Sequence, residues 1–209
     1  MKVLFLSPHT DDVEVGAGGT LLKMLEQGHE IYWLVFSAAE DSLPAGLPKD
    51  TLRLEFLNVA KDLGLKPEQY RVLGYRVRYL FEHRQQVLEE LVALRREFAP
   101  ELVVGPSLHD FHQDHQVVAQ EMFRAFKSTS SIISYELPWN HLEFDTQLFV
   151  RLEEHHMTRK IALLGHYESQ KRLKRRYFEE EYLRSLAIMR GGQTDARYAE
   201  AFEVLRWML

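Results

Sequence analysis

The sequence predicts an α/β fold of Rossmann-like type: a mostly parallel sheet flanked by helices, with a helical C-terminal elaboration. Three observations predict it. Short apolar runs alternate with segments of helical period along most of the chain. The first two runs, Val3 to Leu6 and Ile31 to Phe36, are separated by a helix-like segment from Thr20 to Glu26 that stops at Gly28, the spacing of a βαβ unit with a parallel pair. No internal repeat, low-complexity tract or composition shift divides the 209 residues, so one domain over 1–209 is expected.

The elements follow in order. After the second run, 38–49 holds Pro44, Gly46 and Pro48 and reads as an exposed loop. Helical periodicity returns at Leu52, Phe56, Val59, Ala60 and Leu63 and stops at Gly64. Arg84 to Phe98 is amphipathic through Val87, Leu88, Leu91 and Leu94, and Pro100 ends it. Leu102-Val103-Val104 then reads as a buried strand, Asp114 to Phe126 as a helix, and Ile132 to Tyr135 as a further strand. From Thr158 the chain turns helical and highly charged. Its basic run Lys171 to Arg176 precedes Glu179-Glu180-Glu181, four residues on from Arg175 and Arg176, a spacing that suits ion pairs along a solvated helix face.

Bulk properties narrow the function. A formal charge of -5 argues against a nucleic-acid partner, which would want a basic face. With no cysteine, disulfides, thiolate metal sites and a cysteine nucleophile are excluded. Any metal is therefore held by imidazole and carboxylate. The opening apolar run is too short for a signal-peptide core, and no stretch approaches the ~18 apolar residues of a membrane span. A soluble cytoplasmic protein without a membrane partner is expected, and a homo-oligomer is compatible with the sequence.

Two clusters carry chemistry. His9-Thr10-Asp11-Asp12 lies just past the first strand, where ligands bind in open α/β sheets. One imidazole and one carboxylate there make two of the three protein ligands of a catalytic zinc. Adjacent Asp11 and Asp12 point different ways, so one can ligate while the other faces a water molecule. Spacing alone leaves open which does which, and Asp11 to Glu14 also fits a capping box. The string Glu14-Val15-Gly16-Ala17-Gly18-Gly19 imitates a fingerprint for S-adenosylmethionine, but no strand runs straight into its glycines. They are read instead as allowing close backbone approach beside the site.

The second cluster, His109-Asp110-Phe111-His112-Gln113-Asp114-His115, follows the third strand. His112 and His115 are three apart and project to one side of a helix start. His115 can supply the third metal ligand, with His112 over the substrate and Asp114 orienting His112. The alternative makes Asp114 an N-cap. His155 and His156, neighbours on a helix, diverge by ~100° and are not expected to share a metal. His29, His83 and His141 lack any such context. Trp139 and Asn140, with the loop at 38–49, are expected to shape a pocket rim.

Together these residues resemble the LmbE-like, or PIG-L, family of metal-dependent N-acetylglucosamine deacetylases. His9-Thr10-Asp11-Asp12 with Gly16 to Gly19 matches its first motif, and Asp110 to His115 its second; Thr10 and Gln113 replace two prolines. Echoes at Arg53-Leu54-Glu55, His166 to Gln170 and Tyr198 to Phe202 extend the likeness over nearly the whole chain. The resemblance implies that His9, Asp12 and His115 bind zinc, that Asp11 is the general base, and that His112 backed by Asp114 stabilises the oxyanion in protonated form. It also maps a substrate-contacting arginine to Arg53. The implied reaction removes an N-acetyl group from a small sugar or glycoconjugate by zinc-activated water. Ferrous iron suits the same donors. The rival functions are a metal-dependent amidase acting on a non-sugar amide and an S-adenosylmethionine-dependent methyltransferase built on Glu14 and the glycines.

Overall fold

The computed structural model describes residues 1–208. Seven strands form one sheet in the order β3-β2-β1-β4-β5-β7-β6. These are β1 (Lys2–His9), β2 (Glu30–Ser37), β3 (Tyr70–Val72), β4 (Leu102–Gly105), β5 (Ser131–Tyr135), β6 (Leu148–Leu152) and β7 (Tyr198–Arg206). The first five are mutually parallel, and β7 pairs antiparallel with both β5 and β6. The chain reverses its direction of winding between β1 and β4, the place where open α/β sheets bind ligands beyond their C-terminal strand ends.

Helices cover both faces: α1 (Asp12–Glu26), α2 (Thr51–Asp62), α3 (Arg84–Phe98), α4 (Gln113–Phe126), α5 (Glu154–Leu164), the single turn α6 (Glu168–Lys171) and α7 (Glu180–Gly192). Val3 and Phe5 pack with α1 and α2 on one face, while Leu4 and Leu6 pack with α3 and α4 on the other. Burial on both faces explains why β1 reads as a continuous apolar run rather than an alternating one. No helix among the described residues is long and apolar enough to cross a membrane.

Several features depart from the sequence reading: α1 begins at Asp12 rather than Thr20, and β3 was not anticipated. The C-terminal third is not helical throughout, since it adds the two antiparallel strands. The run Lys171 to Arg176 is no solvated helix face either: α6 ends at Lys171, Lys174 takes a left-handed φ of 50°, and a 3-10 turn spans Arg176–Phe178. Glu180 pairs instead with Arg184, four residues on.

The first helix is broken at Ala17 (φ -141°). Gly16 sits where a Cβ would come within 2.6 Å of the Tyr135 ring, so glycine is what lets α1 lie close on β5. The break exposes backbone groups, and a buried ion pair satisfies them. Glu200 of β7 accepts from the N–H groups of Gly19 (2.9 Å) and Thr20 (2.7 Å), and Lys160 of α5 donates to the Val15 carbonyl (2.7 Å) and to Glu200 (2.7 Å). Truncating one partner of such a pair leaves the other charge buried and unpaired. Glu200→Ala is therefore expected to cost about 3–5 kcal/mol of stability in urea denaturation; a loss under about 1 kcal/mol would show that the pair does not hold the break.

Candidate metal centre and active site

The site is built where β1 and β4 end. His9 closes β1 and Asp12 opens α1, while His112 caps the N-terminus of α4 and His115 sits in its first turn. Three of their atoms form a compact triangle: His9 Nδ1 to Asp12 Oδ2 is 3.4 Å, Asp12 Oδ2 to His115 Nε2 is 3.3 Å, and His115 Nε2 to His9 Nδ1 is 3.2 Å. Ligands about 2.0–2.1 Å from one tetrahedral ion stand ~3.4 Å apart, so the three fit a single cation.

Carboxylates behind the imidazoles aim them. Asp114 Oδ2 lies 2.9 Å from His9 Nε2, which turns Nδ1 toward the triangle. Asp110 Oδ2 lies 2.7 Å from His115 Nδ1, which turns Nε2 there. Such partners fix ring orientation and tautomer in metal sites. Asp114 is in turn held by the backbone N–H groups of Arg78 (2.6 Å) and Leu80 (3.2 Å), and Arg78 adopts φ 72° to present its amide. Asp110 Oδ1 accepts from the His112 backbone N–H at 2.8 Å.

The sequence reading of Asp114 is thereby corrected. Its carboxylate hydrogen-bonds His9, not His112; its hydrogen bond to His112 comes from the backbone N–H, which donates to Nδ1 at 3.2 Å. The capping residue of α4 is His112 itself. Because Nδ1 accepts, the ring proton sits on Nε2. His112 is also not the protonated group expected: burial first, then the neighbouring His9 and His115, lower its pKa to about 4. It is a neutral N–H donor. Its ring lies edge-on to His9, with centroids 4.8 Å apart, and 4.7 Å from that of His115.

Charge at the site is lopsided. Asp12, Asp110 and Asp114 are all buried, yet burial is outweighed by imidazole and hydrogen-bond partners, and their pKa values are lowered. Against its burial, the carboxylates of Asp12 and Asp114 raise the pKa of His9 to about 10. No lysine or arginine side chain pairs with these three carboxylates among the described residues. This surplus of buried negative charge, with two nitrogens and one oxygen converging, fits a divalent cation.

Asp11 behaves differently from Asp12. Burial and the charge of Asp12 raise its pKa to about 6, against the opposing pull of His9 and Arg175. It lines a cavity of about 280 Å³ together with the triangle and His112. Ala39, Ser42, Trp139 and Asn140 line the same cavity, as the loop reading expected. Arg53 does not. Its guanidinium donates to the carbonyls of Val72 (3.1 Å) and Leu73 (3.5 Å) and ties α2 to the end of β3. The arginine in the cavity is Arg175, hidden in the sequence within a basic run.

The remaining clusters resolve as follows. Gly16, Gly18 and Gly19 lie inside α1 against Tyr135, Lys160 and Leu152, with no turn for a nucleotide. Glu14 is fully buried. Tyr167 Oη donates toward the Thr10 carbonyl (2.6 Å) and toward Glu14 Oε1 (2.5 Å). The Glu14 pKa is raised by burial against the Tyr167 hydrogen bond. His155 and His156, expected to diverge, both bring Nε2 to Glu26, at 3.1 and 2.9 Å. Yet His156 Nδ1 accepts from the Glu153 N–H at 3.0 Å, which keeps the proton on Nε2 and removes that nitrogen as a ligand. His141 is buried 3.7 Å from Asp110, stacked on Phe144.

Residues 4–126 match the family model described as GlcNAc-PI de-N-acetylase, PIG-L. The chain belongs to this PIG-L, or LmbE-like, family of deacetylases. It is 25% identical over 170 residues to the uncharacterized deacetylase YaiS of Escherichia coli, covering 80% of this chain and 90% of that one. The fold is also that of the N,N'-diacetylchitobiose deacetylase from Pyrococcus horikoshii, with a TM-score of 0.81 and 22% identity over 98% of this chain and 83% of that one. A TM-score of 0.77 relates it to GalB, the 4-carboxy-2-hydroxymuconate hydratase of Pseudomonas putida, at 21% identity over 100% and 97% of the two chains. At these identities the structural likenesses define the fold.

If the carboxylates set the donor geometry, Asp110→Asn should retain the fold but bind metal ~10–100-fold more weakly. His115→Ala should lose the ion outright. Metal content after dialysis measures both, and full occupancy in His115→Ala would remove it from the ligand set.

Proposed function

We propose that the chain is a zinc-dependent N-deacetylase that hydrolyses the acetamide of an N-acetylglucosamine-type sugar or glycoconjugate. The observation that carries this reading is the His9–Asp12–His115 triangle, with Asp11 and His112 lining the same cavity. A divalent cation held by those three residues supplies Lewis-acid polarisation of the amide carbonyl and acidifies water there. Zinc is the proposed ion, and ferrous iron suits the same donors.

The protein's own groups divide the remaining work. Asp11 carries no ligand role, sits beside the donors, and has a raised proton affinity, which suits a base that must accept a proton and release it again. It takes a proton from the attacking water as the new C–O bond forms. The neutral His112 donates its Nε2–H to the oxygen on which negative charge develops. Collapse breaks the C–N bond, and the proton held by Asp11 passes to the departing nitrogen, giving acetate and a free amine. Asp110 and Asp114 keep the imidazoles in place throughout and act through His115 and His9. The cavity's volume, near the lower end of the ~300–1,000 Å³ usual for small-molecule sites, suits a single sugar ring.

Acetate release from N-acetylglucosamine and its glycosides, with metal stripped and restored, tests the reading. Asp11→Asn should keep its metal and lose ~10²–10⁴-fold in kcat, and His112→Gln ~10²–10³-fold. Unchanged turnover in Asp11→Asn sinks the base assignment.

A further inference from the structure

His141 is a buried imidazole that neither belongs to the triangle nor lines the cavity. Its side chain is 3% exposed, yet neither ring nitrogen has a hydrogen-bond partner among the described residues. A buried polar group without a partner carries a cost that an apolar side chain of the same shape does not. The ring stacks on Phe144 with centroids 5.1 Å apart and planes 7° from parallel, a packing that a phenylalanine would serve as well. The carboxylate it faces is that of Asp110, whose Oδ2 lies 3.7 Å from His141 Nε2.

The backbone sets this approach. After β5 the chain turns through Pro138–Asn140 and crosses the loop that opens α4. Asp110 and His141 form an antiparallel bridge there, and the Phe111 N–H donates to the Asn140 carbonyl at 2.9 Å. Asp110 has room for a further donor. Its Oδ1 takes the His112 N–H, while Oδ2 takes His115 Nδ1 at 2.7 Å and meets Asn140 Nδ2 only at 3.5 Å. A carboxylate oxygen accepts two hydrogens, so Oδ2 lacks a close second donor. A small rotation of the His141 ring that shortens the gap by about 0.8 Å supplies one.

We propose that His141 is a positioning residue for the His9–Asp12–His115 triangle, donating its Nε2–H to Asp110 Oδ2. With that donor Asp110 is fixed in line with His115 Nδ1, keeps the ring proton there, and leaves Nε2 of His115 turned to the triangle. His141 acts through Asp110 alone. The proposal deepens the metal-centre reading and rests on it.

Zinc affinity, read by competition with a chromophoric chelator, tests this together with NMR of the imidazole nitrogens in the metal-free protein. His141→Phe keeps the stack on Phe144 and removes the donor. It should weaken zinc binding ~10–100-fold and blur the Nδ1-protonated signature of His115. His141→Gln, which offers an amide N–H in place of Nε2–H, should restore most of the affinity. In an Asp110→Asn background His141→Phe should change affinity less than about 2-fold, because the residue it acts through is already disabled. A role in packing alone would weaken both backgrounds alike. Unchanged affinity in His141→Phe, a Gln variant no better than Phe, or losses that add in the double variant overturn the proposal. Should His141→Phe not fold, His141→Met takes its place in each comparison. His115→Ala separates the two ideas. Zinc lost there but fully kept in His141→Phe defeats the positioning role alone, whereas full occupancy in His115→Ala defeats the triangle itself.

Discussion

The site depends on two buried carboxylates, Asp110 and Asp114, each hydrogen-bonded to one nitrogen of an imidazole whose other nitrogen faces the triangle formed with Asp12. An imidazole has two nitrogens and can present either, so a triangle of donors 3.2 to 3.4 Å apart needs something that chooses for it. Asp114 chooses Nδ1 of His9 and Asp110 chooses Nε2 of His115. Neither carboxylate is free to move. Asp114 is clamped by two backbone amides from the loop before α3, and Asp110 receives the His112 amide at the mouth of α4. The left-handed Arg78 thus helps to support the His9–Asp12–His115 triangle although it lies far from it in sequence.

The same packing separates the two adjacent aspartates. Asp12 Oδ2 accepts from the His9 backbone N–H at 2.7 Å and stands between two imidazoles, so it stays ionised despite burial. Asp11 lacks such side-chain hydrogen bonds, and burial first, then the charge of Asp12, drive its proton affinity up against the pull of His9 and Arg175. One residue's difference in position along the start of α1 therefore yields one carboxylate held ionised and one with raised proton affinity. Burial raises the proton affinity of Glu14, just beyond them in the helix, and the Tyr167 hydroxyl bridges Glu14 and the Thr10 carbonyl behind both aspartates.

Much of this was legible in the sequence. The limits of α3 are those its apolar spacing and Pro100 predict, and β1, β2, β4 and β5 fall on their apolar runs because each strand is buried on both faces. The clusters at His9 to Asp12 and Asp110 to His115 stood out because they follow strand ends. What stayed hidden was decided by contacts between distant segments. Nothing local says that Asp114 reaches across to β1 rather than to His112, two residues away. Arg175 was masked by the charges around it, and only a left-handed Lys174 and the turn that follows bring it into the cavity. Arg53 looked the better candidate until the end of β3 was seen to occupy its guanidinium. Strand β7 buries Glu200 and Glu203, whose partners lie far off in sequence: Gly19, Thr20 and Lys160 for one, Ser107 and His109 for the other.

Those two glutamates explain why the C-terminal third belongs to the site and is more than an appendage. Glu200 holds the second half of α1, whose first residue is Asp12, while Glu203 holds Ser107 and His109 in the loop between β4 and α4 that delivers His112 and His115. A single strand therefore grips the segments behind both halves of the metal centre, one from each side of the β1–β4 junction. The break at Ala17 makes this grip necessary, because a helix interrupted there cannot satisfy its own amides. The same region supplies Tyr167 beneath the aspartates and the Arg175–Tyr177 wall opposite them. The ends of β1 and β4, with the helices that follow them, supply the three converging side chains, and the C-terminal strand and turns brace those segments and close the cavity around them.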